Sequence, residues 1–366
     1  MQLAALARSA PLRLATSLPA LVLGMVFPPI LSRHQVPKPP ASPSRWILVY
    51  AGGRGRPQYS VGDLIHLIAA VDTLDRPEGW LCDAALFLEP QAVSGRYYVR
   101  SVAGQPADGN DWNVYLDSIF APTGAIERLD SAVGLLSKPL GSVRGGFQIA
   151  VMIPYPDPKA GLVRLGGADH DLSRPDGRIA AVRAYLDDVL RRYRERAYRN
   201  VTLTAFYWVN EGLVDLPDTA WINKIAVEVH RRDRRFLWIP AYGNQGVPLW
   251  HKMGFDDAWL QPNFFFHPEV PQTRFDSALA TARTLGMGIE LEFDRRMFQA
   301  TPFTDRLLPY LAALEAAPDM RARSIAIYEG AGALLQLARS RDEWHRALYH
   351  RLVQTLTATD AGSPRQ

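Results

Sequence analysis

Residues 203–212 read Leu203-Thr204-Ala205-Phe206-Tyr207-Trp208-Val209-Asn210-Glu211-Gly212. The first seven carry no charge and are mostly β-branched or aromatic, as in a strand buried on both faces. The run then stops at Asn210-Glu211-Gly212. A carboxylate there cannot lie unpaired in a dry core, so the strand must deliver it to a partner or a site. A second run, Gly288–Asp294 (GIELEFD), holds three acids. Strand alternation puts Glu290, Glu292 and Asp294 on one face, and Ile289, Leu291 and Phe293 on the other. Three acids on one face of a buried strand are costly unless paired or used.

Similar short apolar runs lie on either side. Trp46–Tyr50, Ala84–Leu88 and Phe147–Ile153 precede the first stretch; Phe236–Ile239 and Trp259–Asn263 separate it from the second, and Ser324–Tyr328 follows. Between them the apolar spacing becomes helical. Val61–Val71 begins after a Ser60/Asp63 capping box, and Tyr115–Leu136, Arg178–Ala197, Thr219–His230, Phe275–Leu285, Leu307–Ala316 and Asp342–Leu356 also read as helices. Gln91–Trp112 and Asp157–Gly177 read as long loops. Eight strands alternating with helices over residues 45–357 predict parallel strands with crossovers, an α/β fold. Eight such strands close a single-domain (β/α)8 TIM barrel, whose first and last strands pair. No G-x-G-x-x-G follows the first strand, which disfavours an open dinucleotide-binding sheet.

The chain has 366 residues, 48% of them hydrophobic, enough for a large core. Its 41 Lys and Arg against 37 Asp and Glu leave a net charge of +4. No basic run tracks phosphates, so nucleic acid is not an expected partner. The single cysteine, Cys82, excludes an internal disulfide and a multi-cysteine metal site; it reads as a small buried residue. The first 62 residues contain no acid. Arg8 and Arg13 precede the 18 uncharged residues Leu14–Leu31, the layout of a signal peptide or membrane anchor over residues 1–31. The competing reading is a transit peptide. A Pro/Ser-rich linker covers 32–44 and a flexible tail 358–366. Export, to the periplasm or outside, or anchoring by the N-terminus is expected.

In a closed barrel all strand ends reach one mouth. Those ends carry Tyr50, Glu89, Tyr155, Asn210, Glu211, Tyr242, Gln261, Asn263, Glu290, Glu292, Tyr328 and Glu329. Acids, amides and aromatic rings suit a carbohydrate, whose hydroxyls need donors and acceptors and whose C–H faces stack on rings. A metal hydrolase would want histidines, and only His267 lies near a strand end. No cofactor and no metal are therefore expected, although Glu290, Glu292 and Asp294 with His267 would form a weaker metal alternative. Glycoside hydrolysis needs two carboxyl groups flanking the bond, and the fourth and seventh strands face each other across an eight-stranded barrel. Glu292, nearer its strand end, should reach the mouth, with Glu290 hydrogen-bonded one layer below. The contrary reading makes Glu211 a helix cap or the partner of one of the many arginines, and ties Glu290 and Glu292 to Arg295 or Arg296.

The pattern resembles the TIM-barrel glycosidases that carry an Asn-Glu dyad on strand four and a glutamate nucleophile on strand seven. That resemblance implies Glu211 as acid/base, Asn210 holding the sugar 2-hydroxyl, and Glu292 or Glu290 as nucleophile of a retaining reaction. More closely, Trp208–Glu211, Ile239–Gly243 and Gly288–Asp294 resemble the bacterial domain-of-unknown-function 4855 family of barrels. The candidate catalytic residues are Glu211, Glu292 and Glu290. The candidate substrate-binding residues are Asn210, Glu89, Tyr155, Trp208, Tyr242, Gln261, Asn263, Asp294, Tyr328 and Glu329. The expected activity is hydrolysis of a poly- or oligosaccharide by a monomer, and the alternative is a carbohydrate-binding barrel without catalysis.

Overall fold

The computed structural model describes residues 44–100, 104–213, 218–298, 303–330 and 332–358. The expected leader, linker and C-terminal tail lie outside them, apart from Ser44 and Ala358. Eight strands carry the fold: β1 (Arg45–Tyr50), β2 (Ala84–Leu88), β3 (Phe147–Ile153), β4 (Val201–Trp208), β5 (Arg235–Trp238), β6 (Asp257–Leu260), β7 (Gly288–Asp294) and β8 (Ile325–Gly330). They form a closed parallel barrel in which β1 pairs with β8. Helices come between the strands: α1 (Val61–Ile68), α2 (Gly109–Ile119), α3 (Ala125–Leu140), α4 (Pro175–Arg196), α5 (Asp218–His230), α6 (Gln272–Leu285), α7 (Phe303–Ala316) and α8 (Pro318–Arg321). After β8 come α9 (Ala333–Arg339) and α10 (Glu343–Thr357). The fold is thus the (β/α)8 barrel expected from the alternation. Among the described residues no helix is long and apolar enough to cross a membrane.

Local chemistry sets the joints. The Ser60/Asp63 capping box forms: the Ser60 hydroxyl accepts from the Asp63 amide at 3.1 Å, and the Asp63 carboxylate from the Ser60 amide at 2.8 Å. Asp83, just before β2, accepts the amides of Ser44 and Arg45 at 2.9 and 2.7 Å, fixing where the barrel begins. Three segments differ from the periodicity. The expected helix Tyr115–Leu136 is two, because Asp108 and Asp111 form a second capping box that starts α2 early, and Gly124 begins α3. The expected loop at Asp157–Gly177 contains the hairpin Leu162–Leu165/Ala168–Asp171, and a further hairpin, Ala69–Val71/Pro77–Trp80, follows α1. Cys82 is buried.

Side chains from non-adjacent strands meet only across the barrel interior, and this identifies the inward face. Trp46 of β1 meets Trp259 of β6 edge-on, centroids 5.9 Å apart, and the Arg235 guanidinium of β5 lies 5.7 Å over the Trp46 ring. Gln148 of β3 accepts from Thr204 at 2.8 Å and from Arg235 at 3.1 Å. These groups fill the lower barrel, leaving the upper layers to form the mouth.

One irregularity decides what β4 presents there. Its pairing with β3 runs Ile149↔Leu203 and then Ala150↔Ala205, so Thr204 is an extra residue. Such a bulge shifts the alternation by one. Thr204 faces inward beside Gln148, and beyond it the inward phase passes to Ala205, Tyr207, Val209 and Glu211.

Candidate active site

Glu211 stands just past the end of β4, partly exposed, on that inward phase. Glu290 of β7 is 1% exposed. Burial chiefly raises the hydroxyls of Tyr50 and Tyr207, and the charges of both glutamates add to it; the Glu211 charge likewise adds to the rise at Glu290, after burial and Glu292. The four side chains therefore share one cluster, assembled from β1, β4 and β7. Tyr328 of β8 joins it, its ring 5.5 Å from Tyr50 and 5.3 Å from Phe266, both edge-on. Gln261, just past β6, completes it: its amide favours the ionised forms of both Glu211 and Glu290.

The electrostatics follow from burial with few donors. Desolvation holds the Glu211 carboxyl above the ordinary value of 4.5, opposed only by Gln261. Glu290 is raised well above it, first by burial, then by the charges of Glu292 and Glu211. One Glu290 carboxylate oxygen is buried without a hydrogen-bond partner, and so is the Gln261 amide oxygen. Burial also pushes the Tyr328 hydroxyl to about 12.

Glu292 is fully buried but well supplied with donors. Its carboxylate accepts the amides of Asn263 and Phe264 at 3.0 and 3.1 Å, and a hydrogen bond from the Tyr310 hydroxyl of α7. Asn263 adopts a left-handed conformation (φ 51°), and the turn there aims consecutive amides at one carboxylate. Sequence position suggested the reverse, with Glu292 open at the mouth and Glu290 hydrogen-bonded. The reason for the difference is that β6 ends at Leu260, and the departing 261–264 segment folds over Glu292.

Several other candidates are held elsewhere. Beyond the Thr204 bulge Trp208 turns outward, packing on Trp221 of α5 at 5.4 Å, and Tyr155 packs against both rings. Tyr155 also accepts a hydrogen bond from Arg100 at 2.9 Å. The Asn210 amide is engaged by the protein: its oxygen accepts from the Arg100 amide at 2.8 Å, and its nitrogen donates to the Gly212 carbonyl at 2.6 Å. Glu329 shares the register of outward-facing Phe293 and accepts from Leu334 at the start of α9 and from Tyr59, at 3.1 and 3.0 Å. Asp294 pairs with Arg296 at 2.8 Å, whereas Arg295 donates to Gln336. Neither arginine therefore ties down Glu290 or Glu292. Tyr242 lies at the rim with Arg274 over its ring. His267 pairs with Glu269 at 3.2 Å on the exposed surface, away from the metal alternative's acids. Among the described residues no three His, Cys, Asp or Glu side chains converge as a metal site would require.

Glu89 is buried behind the mouth in a two-point ion pair with Arg56, Nε–Oε2 2.6 Å and Nη2–Oε1 3.0 Å. Arg56 lies 4.8 Å over the Tyr50 ring and links this pair to the central cluster. Arg56, Tyr207 and Tyr310 were not among the sequence candidates. Only Tyr207 carried a signal, since counting back in twos from Glu211 reaches it.

Glu329 also makes stability depend on pH. Burial raises its carboxyl from 4.5 to about 7. Because the folded-state value lies above the unfolded one, its contribution is complete below about pH 4.5 and is lost as pH rises through 7. For this group alone the loss is about 3 kcal/mol. The urea unfolding midpoint should therefore fall between pH 5 and 8, and Glu329→Gln should flatten that fall. An unchanged slope in the variant would show that the carboxyl is ionised throughout.

No curated protein matches the chain. A mutant tryptophan synthase α-subunit from Pyrococcus furiosus is similar at 11% identity and TM-score 0.38, covering 86% of this chain and 97% of that one. The intracellular xylanase TsXylA of Thermoanaerobacterium saccharolyticum is similar at 10% identity and TM-score 0.39, covering 78% and 85%. A family model, Domain of unknown function (DUF4855), matches residues 45–354, nearly the whole barrel, and the chain therefore belongs to the DUF4855 family.

Proposed function

We propose that the protein is a glycoside hydrolase that cleaves a poly- or oligosaccharide with Glu211 as acid/base and Glu290 as nucleophile. One observation supports the reading: Glu211, just past β4, and Glu290 of β7 both act by charge on Tyr50 and Tyr207, and Glu211 acts on Glu290, across strands on opposite sides of the barrel. Burial raises both carboxyls, and the Glu292 and Glu211 charges raise Glu290 further, so ionisation of one opposes that of the other. When a proton rests on Glu211, that residue can protonate the leaving oxygen while Glu290 attacks the anomeric carbon, as a retaining mechanism requires. Water then enters on the Glu211 side, with Glu211 acting as base. Glu292, held by its donors, supports Glu290 from the adjacent layer. Tyr50, Tyr207, Tyr328 and Gln261 offer rings and hydrogen bonds to the sugar. The leader of residues 1–31 would carry such an enzyme to a polysaccharide outside the cytoplasm.

The test is release of reducing ends from a panel of plant, bacterial and fungal oligosaccharides. Wild type should turn over at least one, and Glu211→Gln should lower that rate roughly 10²–10⁴-fold while still binding the sugar. Binding without turnover by wild type would move the reading to a carbohydrate-binding barrel.

A further inference from the structure

Beside the cluster, between the β1–α1 loop and the start of α3, lies a second cavity of about 280 Å³. Arg56 and Arg128 line it together with Gln58, Tyr59, Ser118 and Thr123, and its lining contains no acid. The start of α3 does not supply its character. Gly124 packs so tightly against the last carbonyls of α2 that an added Cβ would lie 2.7 and 2.6 Å from the Ser118 and Ile119 oxygens, so carbonyl oxygens already crowd the helix start. The uncompensated charge is that of Arg128. Among the described residues no carboxylate pairs with it, and its Nε is buried without a hydrogen-bond partner. A guanidinium half-removed from water without an anion is costly. Arg56 adds a second cation. Its pair with Glu89 uses Nε and Nη2, which leaves Nη1 outside that pair. The same guanidinium covers Tyr50, whose hydroxyl environment includes Glu290 and Glu211.

We propose that this cavity is a subsite for the carboxylate of an acidic sugar, next to the residue that is cleaved, so that the substrate is a uronic-acid-containing glycan. The inference rests on the glycosidase reading for its position and on the two arginines for its chemistry. A planar carboxylate matches the arginine fork, and the hydroxyl and amide groups of Ser118, Thr123 and Gln58 suit the ring hydroxyls. The volume accommodates one sugar unit and not a chain.

Calorimetric titration of the full chain with cellobiouronate, cellobiose and inorganic sulfate tests this. Wild type should bind cellobiouronate at least ten times more tightly than cellobiose. Arg128→Gln should lose that preference with cellobiose affinity unchanged, and Arg128→Lys, which keeps charge without the fork, should fall between. Equal binding of the two disaccharides, or a preference that survives in both variants, overturns the proposal. Sulfate bound as tightly as cellobiouronate shows an anion site only and overturns the sugar assignment. Because the readout is binding, a preference for the acidic sugar without turnover would count against the hydrolase reading and leave the subsite standing.

Discussion

Glu290→Gln should lower turnover by roughly 10²–10⁴-fold or more while leaving the protein at least as stable as wild type at neutral pH. Both halves follow from one arrangement. Glu290, set opposite Glu211 in the proposed reading, has an unpaired carboxylate oxygen and is disfavoured as an anion by burial and by two neighbouring carboxylates. Chemistry needs that anion, whereas folding is strained by it. An amide of the same shape removes the nucleophile and the charge together. Burial first, then the Glu292 and Glu211 charges, hold the Glu290 carboxyl up, so wild type loses stability as rising pH forces it to ionise and the variant should gain on it in that direction. The check is kcat on a responsive oligosaccharide alongside urea unfolding at pH 7 and 9. A variant that is inactive because it is unfolded, or folded and fully active, would remove Glu290 from the assigned role.

Glu292→Gln should do the opposite and cost stability first. Its carboxylate gathers two backbone amides and the Tyr310 hydroxyl in a fully buried place. An amide nitrogen there would face N–H and O–H donors, leaving at least one buried donor unsatisfied, at about 1–3 kcal/mol each. The expected loss is about 1–3 kcal/mol on that basis. Tyr310→Phe removes one donor and should cost less, near the lower end. Turnover per folded molecule should fall much less than in Glu290→Gln. Equal stability of wild type and Glu292→Gln in urea would show that these hydrogen bonds contribute nothing.

Much of this fold was legible because buried parallel strands announce themselves. Ala84–Leu88 and Phe147–Ile153 are short runs, apolar but for Gln148, whose ends needed no correction. Glu211 and the acids of Gly288–Asp294 were legible as costly carboxylates on facing strands, with Glu292 rather than Glu290 expected opposite Glu211. The alternation rule failed at Thr204, where one extra residue sends Tyr207 inward and Trp208 outward; a bulge depends on pairing with β3 and leaves no local pattern. The exchange of roles between Glu290 and Glu292 was hidden for a similar reason. It depends on where β6 ends and on a tyrosine 18 residues further along. Arg56 reaches Tyr50 through loop geometry alone.

The proposed chemistry stands or falls on Glu290, and not Glu292, working opposite Glu211. Replacing Glu211 should slow the second half of a retaining reaction and let the glycosyl-enzyme accumulate when the substrate carries a good leaving group. Mass spectrometry of Glu211→Ala after reaction with activated aryl glycosides should find one added glycosyl unit, located by peptide fragmentation on Glu290. An adduct on Glu292, or hydrolysis by the variant at the wild-type rate, would overturn that assignment.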